Sequence, residues 1–262
     1  FEEIQQAVAI PAKSILFNID QKADIIAKSQ VDALLSVFVK VFNEMCGYYG
    51  KQGYIAQFER DLDSRNQFQP FKDAFQAIAH KPWERGCEQA LLEAGNIAKA
   101  YSRITGETQP SQGILDKYRA HYSVSIEDFA NQIKAWLDKQ PSNFRLNFFV
   151  DEVGQYIADN LKLMTNLQTV AESLATKCQG RAWIIVTAQE DMNSVLGDLS
   201  RQQSNDFTKI QARFASRLKL TSADVAEVIQ KRLLAKNPIG AELLQTTYAR
   251  QVNNFKTLFD FT

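Results

Sequence analysis

Asn147-Phe148-Phe149-Val150-Asp151-Glu152 is the stretch on which the reading of this chain turns. With Arg145 and Leu146 ahead of it, it predicts a buried apolar strand that stops at two adjacent carboxylates. Downstream, Leu161–Cys178 places Leu163, Leu167, Val170 and Leu174 on one helical face and ends at Gly180. Arg181–Val186 (RAWIIV) is a second β-rich run that leads into Thr187-Ala188-Gln189. Upstream, Ser14–Ile19 (SILFNI) is a third short apolar run, closed by Asp20-Gln21-Lys22. Strands alternating with helices predict an α/β fold built on a parallel, doubly wound sheet with helices on both faces. Arg217–Leu220 is a candidate further short strand.

Between the first strand and Arg145 the pattern is almost entirely helical. Asp24–Met45 reads as one long amphipathic helix, closed by the turn-rich GYYGKQG at Gly47–Gly53. Helical patterning continues through Tyr54–Leu62, Phe71–His80 and Trp83–Thr105, punctuated by Pro70 and Pro82. Ser125-Ile126-Glu127-Asp128 is a capping-box pattern for a helix to about Asp138. Thr221–Asp224 is another, for Val225–Ala235. The expected organisation is a first core strand within residues 1–23, a large helical insertion over 24–140, a nucleotide-binding core over 141–220, and a C-terminal helical segment over 221–262. An insertion with acidic and basic residues interspersed suits protein contact better than a nucleic-acid stripe.

The 262 residues carry 30 Lys+Arg against 30 Asp+Glu and are 45% apolar. A zero net charge argues against a nonspecific nucleic-acid binder, which needs a cationic excess. No apolar run approaches the roughly 20 residues that span a bilayer. Cys46, Cys87 and Cys178 are far apart, and His80 and His121 are the only histidines. Reduced thiols in a cytoplasmic protein are therefore the expectation, without a zinc site. The chain opens on Phe1 with no leader pattern and reads as part of something longer. His80 is expected at a helix-terminal surface position, Cys178 as a small buried residue, and Trp83, Trp136 and Trp183 as core anchors. Phe255, Leu258, Phe259 and Phe261 form an amphipathic C-terminal end suited to docking.

In a parallel sheet functional groups gather at the carboxyl ends of the strands. Two carboxylates there can divide the labour of nucleoside triphosphate hydrolysis, the first holding Mg²⁺ and the second polarising water. Thr187 or Gln189 on the next strand can sit between the γ-phosphate and that water, the alternative being an ordinary turn start. An arginine in Gln211–Leu220 can reach a neighbouring subunit's γ-phosphate, and Arg213 is preferred over Arg217.

These residues carry a resemblance. NFFVDEVGQYI resembles a Walker B strand, IIVTAQED a sensor-1 strand, and IQARFASRLKL before TSADVAEVIQKRLL an arginine-finger segment of AAA+-type P-loop ATPases. The run resembles the large P-loop ATPase subunit of the bacteriophage-exclusion (BREX) defence system, the BrxC/PglY type, most closely over residues 144–234. The resemblance implies Asp151 near Mg²⁺, Glu152 as the water-polarising residue, Thr187 or Gln189 as sensor and Arg213 as a finger acting on a neighbour. It also implies ATP as cofactor and a homo-oligomer working with other BREX proteins, the DNA methyltransferase among them, on DNA directly or through partners. The chain has no G-x-x-x-x-G-K-[ST]. Gly47-Tyr48-Tyr49-Gly50-Lys51-Gln52 has the wrong spacing and puts Gln52 where the Mg²⁺-binding hydroxyl belongs, so it reads as a loop whose tyrosines pack on helices. A Walker A strand is expected upstream of Phe1, placed between the strands of Asp151 and Thr187. The competing expectation is a nucleotide-gated scaffold with negligible turnover, and a third is a plain helical interaction module.

Overall fold

The computed structural model describes residues 2–22, 33–106, 113–157, 161–187, 216 and 223–259. The chain divides into two compact units, Phe1–Arg213 and Phe214–Thr262. In the first, the described elements are α1 (Glu2–Val8), β1 (Ala12–Asn18), α2 (Ile19–Lys22), α3 (Ala33–Met45), α4 (Gly53–Ser64), α5 (Phe68–Ala79), α6 (Trp83–Gly86), α7 (Ala94–Thr105), α8 (Ile114–His121), α9 (Ile126–Leu137), β2 (Arg145–Asp151), α10 (Val153–Ile157), α11 (Leu161–Lys177) and β3 (Ala182–Val186). No helix among the described residues is long and apolar enough to cross a membrane.

The three strands form one parallel sheet in the order β1-β2-β3. An α/β architecture with a small open sheet is what alternating strand and helix patterns dictate. Two expectations change. A Walker A strand does not lie between the strands of Asp151 and Thr187, because β2 pairs directly with β3 from Leu146↔Ala182 to Val150↔Val186. Neighbouring strands about 4.8 Å apart leave no room for another, so a further strand could join only at an outer edge. The sheet is also not wound on both faces among the described residues. Ile15, Phe17, Leu146, Phe148 and Val150 face α3, α9 and α11, where Phe38 sets its ring 5.6 Å from Phe17 and 5.4 Å from Phe148, and Phe129 lies 6.3 Å from Phe148. On the opposite face Leu16, Phe149 and Ile185 share one rung, and Leu16 is 78% exposed. Trp183 lies on this face as well. It is exposed, not a core anchor, and its indole N–H donates to Gly180 O. Trp83 is buried, and Trp136 stacks edge-on against Phe42 and Phe144.

A second apolar centre lies among α4 to α8, with Phe58, Phe71, Phe75, Trp83 and Ile97 at its heart. Trp83–Thr105, expected as helical throughout, breaks after Gly86 into a 3₁₀ turn (Cys87–Gln89) and restarts at Ala94, leaving Leu91 and Leu92 exposed between. Gly86 is pressed against the Phe75 ring, where a Cβ would come within 2.4 Å of ring carbons. Pro70 does not end a helix. It sits in the first turn of α5, where its missing N–H costs nothing. α1 forms without having been anticipated, and α8 falls within the stretch expected to be almost entirely helical. Of the long helix expected over Asp24–Met45, Ala33–Met45 is observed and residues 23–32 lie outside the described residues.

The tyrosines of loop Gly47–Gln52 pack on neighbouring helices, as expected. Tyr48 Oη donates to Asp63 at 2.7 Å and its ring meets Phe68, while Tyr49 packs on the α4–α8 core. Arg60 of α4 lies over the Tyr48 ring at 4.9 Å and donates to buried Asn43 of α3. Gly53 opens α4 under the Tyr122 hydroxyl, which would sit 1.8 Å from a Cβ there. Gly53→Ala should therefore destabilise the chain by about 1–3 kcal/mol through overpacking, read as a lower urea midpoint.

The capping box at Ser125 forms as read: Ser125 Oγ accepts from Asp128 N, and the Asp128 carboxylate accepts from Ser125 N. His80 is exposed and caps α5 at φ 55°. Cys178 is buried at the end of α11, where burial pushes its thiol up to about 11. All three cysteines are free.

In the second unit, α12 (Ala223–Val228) passes into a π-helical turn, Ile229–Leu233, in place of the regular helix expected to Ala235. α13 (Pro238–Phe259) follows and contains Phe255, Leu258 and Phe259. Phe261, the candidate strand Arg217–Leu220 and the start of the second capping pattern lie outside the described residues.

Candidate functional site

The carboxyl ends of the three strands bring four polar side chains together. β1 and β2 pair in register from Ala12↔Arg145 to Asn18↔Asp151, so Asn18 and Asp151 finish neighbouring strands side by side. Thr187 follows β3, and its N–H donates to Val150 O at 3.0 Å, carrying the ladder one step past the strand. Thr187 O in turn accepts from Val153 N at 3.1 Å, tying the start of α10 to the tip of β3.

The side chains form two cross-strand pairs. Thr187 Oγ1 donates to Asp151 Oδ1. Asn18 Nδ2 donates to Glu152 Oε2 at 2.5 Å. Glu152 N also donates to Asp151 Oδ1 at 3.1 Å, so this oxygen collects two donors. Asn18 Oδ1 accepts from Gln21 N at 3.1 Å, which orients its amide so that the NH₂ group faces Glu152. The aim of these residues follows from the pleat. Asn18, Asp151 and Thr187 share the parity of Leu16, Phe149 and Ile185, and so lie at one end of the exposed sheet face.

Glu152 has φ 61°, a left-handed backbone that costs a non-glycine residue about 1–2 kcal/mol. Such strain persists only where the surroundings hold it. Here Asp151 ends the ladder on one side, and on the other Tyr156 N donates to Glu152 O at 3.2 Å.

Of the residues singled out in the sequence, Asp151, Glu152 and Thr187 come together. Gln189 and Arg213 lie outside the described residues. Asn18 was missed. The signal was available, since SILFN stops on a polar residue as NFFVD does, but the run was read as continuing through Ile19, which begins α2 and is fully buried.

The donor set is hard oxygen. Mg²⁺ takes one or two carboxylates and completes its shell with phosphate oxygens and water. Asp151 with the Thr187 hydroxyl matches that modest requirement. No group of three or more His, Cys, Asp or Glu that could cage a metal occurs among the described residues. A separate open groove of about 790 Å³ runs between α4, α8 and α9, lined by Tyr118, His121, Tyr122 and Asn131, and includes none of the strand-end residues. No protein-family model matches the chain, and no solved structure matches it.

Proposed function

We propose that the strand-end cluster is the carboxylate half of an ATP-hydrolysing centre of the AAA+-type P-loop class, in an ATPase subunit of a BREX antiviral system. The observation that carries this reading is the pairing of Thr187 with Asp151 across two directly bonded parallel strands, beside a Glu152 whose backbone is held strained. In this reading Asp151, steadied by Thr187, would hold Mg²⁺, which supplies neutralisation of charge on the phosphates. Glu152 orients the attacking water and takes up its proton. Thr187 or Gln189 senses the bound nucleotide, and Arg213 serves a neighbouring subunit's site. The subunit would act in the cytoplasm as a homo-oligomer with other BREX proteins, including the methyltransferase, on DNA directly or through them.

Asn18 enters this scheme as the positioning residue for Glu152. Asn18→Ala should lower kcat about tenfold with KM for ATP little changed, because a misaimed base slows the chemical step and leaves nucleotide contacts alone. Steady-state kinetics on the wild type and variant check it.

The overall test is Mg²⁺-dependent ATP turnover by the longest natural chain containing this segment, alongside Glu152→Gln. Turnover lost in the variant supports hydrolysis at this cluster. ATP bound without turnover in either protein replaces it with a nucleotide-gated scaffold. No nucleotide effect at all leaves a helical interaction module.

A further inference from the structure

Two carboxylates are buried among the described residues, and they are satisfied differently. Glu93 is 7% exposed and meets Lys81 Nζ at 2.6 Å. Glu59, in the middle of α4, is 2% exposed, and among the described residues no lysine or arginine forms an ion pair with it. Its two oxygens each accept one neutral donor. Trp83 Nε1–H donates to Oε1 at 2.6 Å, and the backbone N–H of Tyr49 donates to Oε2 at 2.5 Å. One side chain thereby joins the loop after α3 to the aromatic centre of the helical half.

We infer that Glu59 is a proton-operated latch on loop Gly47–Gln52: protonation removes the cost of a buried charge and favours the closed loop, and ionisation favours the loop's opening to water. The inference rests on geometry. A carboxylate 2% exposed, on a helix that also sends Phe58 and Leu62 into the apolar core, has two neutral hydrogen bonds in place of the hydration of its charge. Burial accordingly pushes its carboxyl up to about 7, against the smaller opposing pull of those two bonds and of Lys72. The charged and titratable groups around it do not supply a free cation. α5 presents Lys72, already bonded to Glu84 of α6 at 2.8 Å. The 3₁₀ turn presents Cys87 and Glu88, and the loop presents Tyr49 and Lys51, the last paired with Glu88 at 3.3 Å. α7 and α8 contribute Tyr101 and Tyr118 to the same core, with the Tyr118 hydroxyl given to Asp61.

The direction of the effect follows from linkage. A carboxyl whose pKa is raised in the closed state binds its proton more tightly there than in the open state, where the ordinary value of about 4.5 returns. Closure is then fully favoured in acid and weakens as pH rises between about 4.5 and 7, with no further change above. The loop joins α3, which covers the sheet, to α4, which begins the second apolar centre. The latch would thus set how firmly these two parts of the first unit are connected near neutral pH.

NMR of the full chain tests this. The Tyr49 backbone amide and the Trp83 indole N–H should titrate together with one midpoint near 7, and both transitions should vanish in Glu59→Gln. A midpoint below 5, two separate midpoints, or a transition that survives in the variant overturns the latch. Should Glu59→Gln fail to fold, hydrogen exchange in the wild-type chain decides. Protection of the Gly47–Gln52 amides, corrected for intrinsic rates, should fall about tenfold per unit between pH 5 and 7 and level off above, while α9 holds its protection. Flat protection across that range refutes it.

Discussion

If the strand-end cluster hydrolyses ATP as proposed, Glu152→Gln should lower ATP turnover by about 10²- to 10⁴-fold in the longest natural chain containing this segment, with ATP affinity nearly unchanged. The substitution is close to isosteric. Gln keeps a side-chain oxygen that can accept from Asn18 Nδ2, so the cross-strand bond of 2.5 Å survives in kind. The backbone cost at φ 61° is about equal for the two residues. What disappears is the negative charge and the capacity to take a proton, which places the loss in kcat. Stopped turnover with an unchanged circular-dichroism spectrum is the expected pair of readings. Equal turnover in the two proteins would remove Glu152 from the chemistry.

Trp83→Ala costs about 4 kcal/mol of folding stability. The indole is 2% exposed and lies within 5.0 Å of the Phe71 ring, 5.2 Å of Phe75 and 6.4 Å of Phe58. Truncation leaves a cavity between rings from α4 and α5 that neither helix can close without moving, and it strips Glu59 of one of its two donors. Against a total of about 5–15 kcal/mol for an ordinary domain, this is a large share. Trp83→Phe separates the two contributions: it keeps most of the ring packing and loses the N–H, for about 1–3 kcal/mol. Urea unfolding of both variants measures the difference. A Trp83→Ala cost below about 1.5 kcal/mol would mean that the helical half is held elsewhere.

Local signals were legible where one residue type dictates a conformation. The Ser125–Asp128 capping box formed because its reciprocal hydrogen bonds involve only neighbours in sequence. The strands Arg145–Val150 and Arg181–Val186 were legible because parallel strands read as near-continuous apolar runs. Strand order was not, since nothing in RLNFFV or RAWIIV states which strand each will bond, and the direct β2–β3 pairing had to be observed. The exposure of Trp183 escaped for the same reason, because a tryptophan in an apolar run looks buried until the other face of the sheet is seen. Asp151, Glu152 and Thr187 could be named from strand ends alone. Asn18 could not be paired with Glu152 without knowing that β1 lies beside β2 in register. The buried position of Glu59 depends on α4, α6 and the loop converging, which no single stretch of sequence encodes.

The shared rung of Asn18 and Asp151, with Thr187 one bond beyond it, bears on which changes of length the gene can tolerate. Side chains alternate faces with a period of two, so removing one codon ahead of Phe148 in Arg145–Asn147 would turn Asp151 to the opposite face while Phe148 left the core. Substitutions in these strands can be graded in effect, but insertions and deletions there act all at once. Natural variants of this chain should therefore differ in length between the helices, with the three strands and their spacing to the polar tips kept fixed.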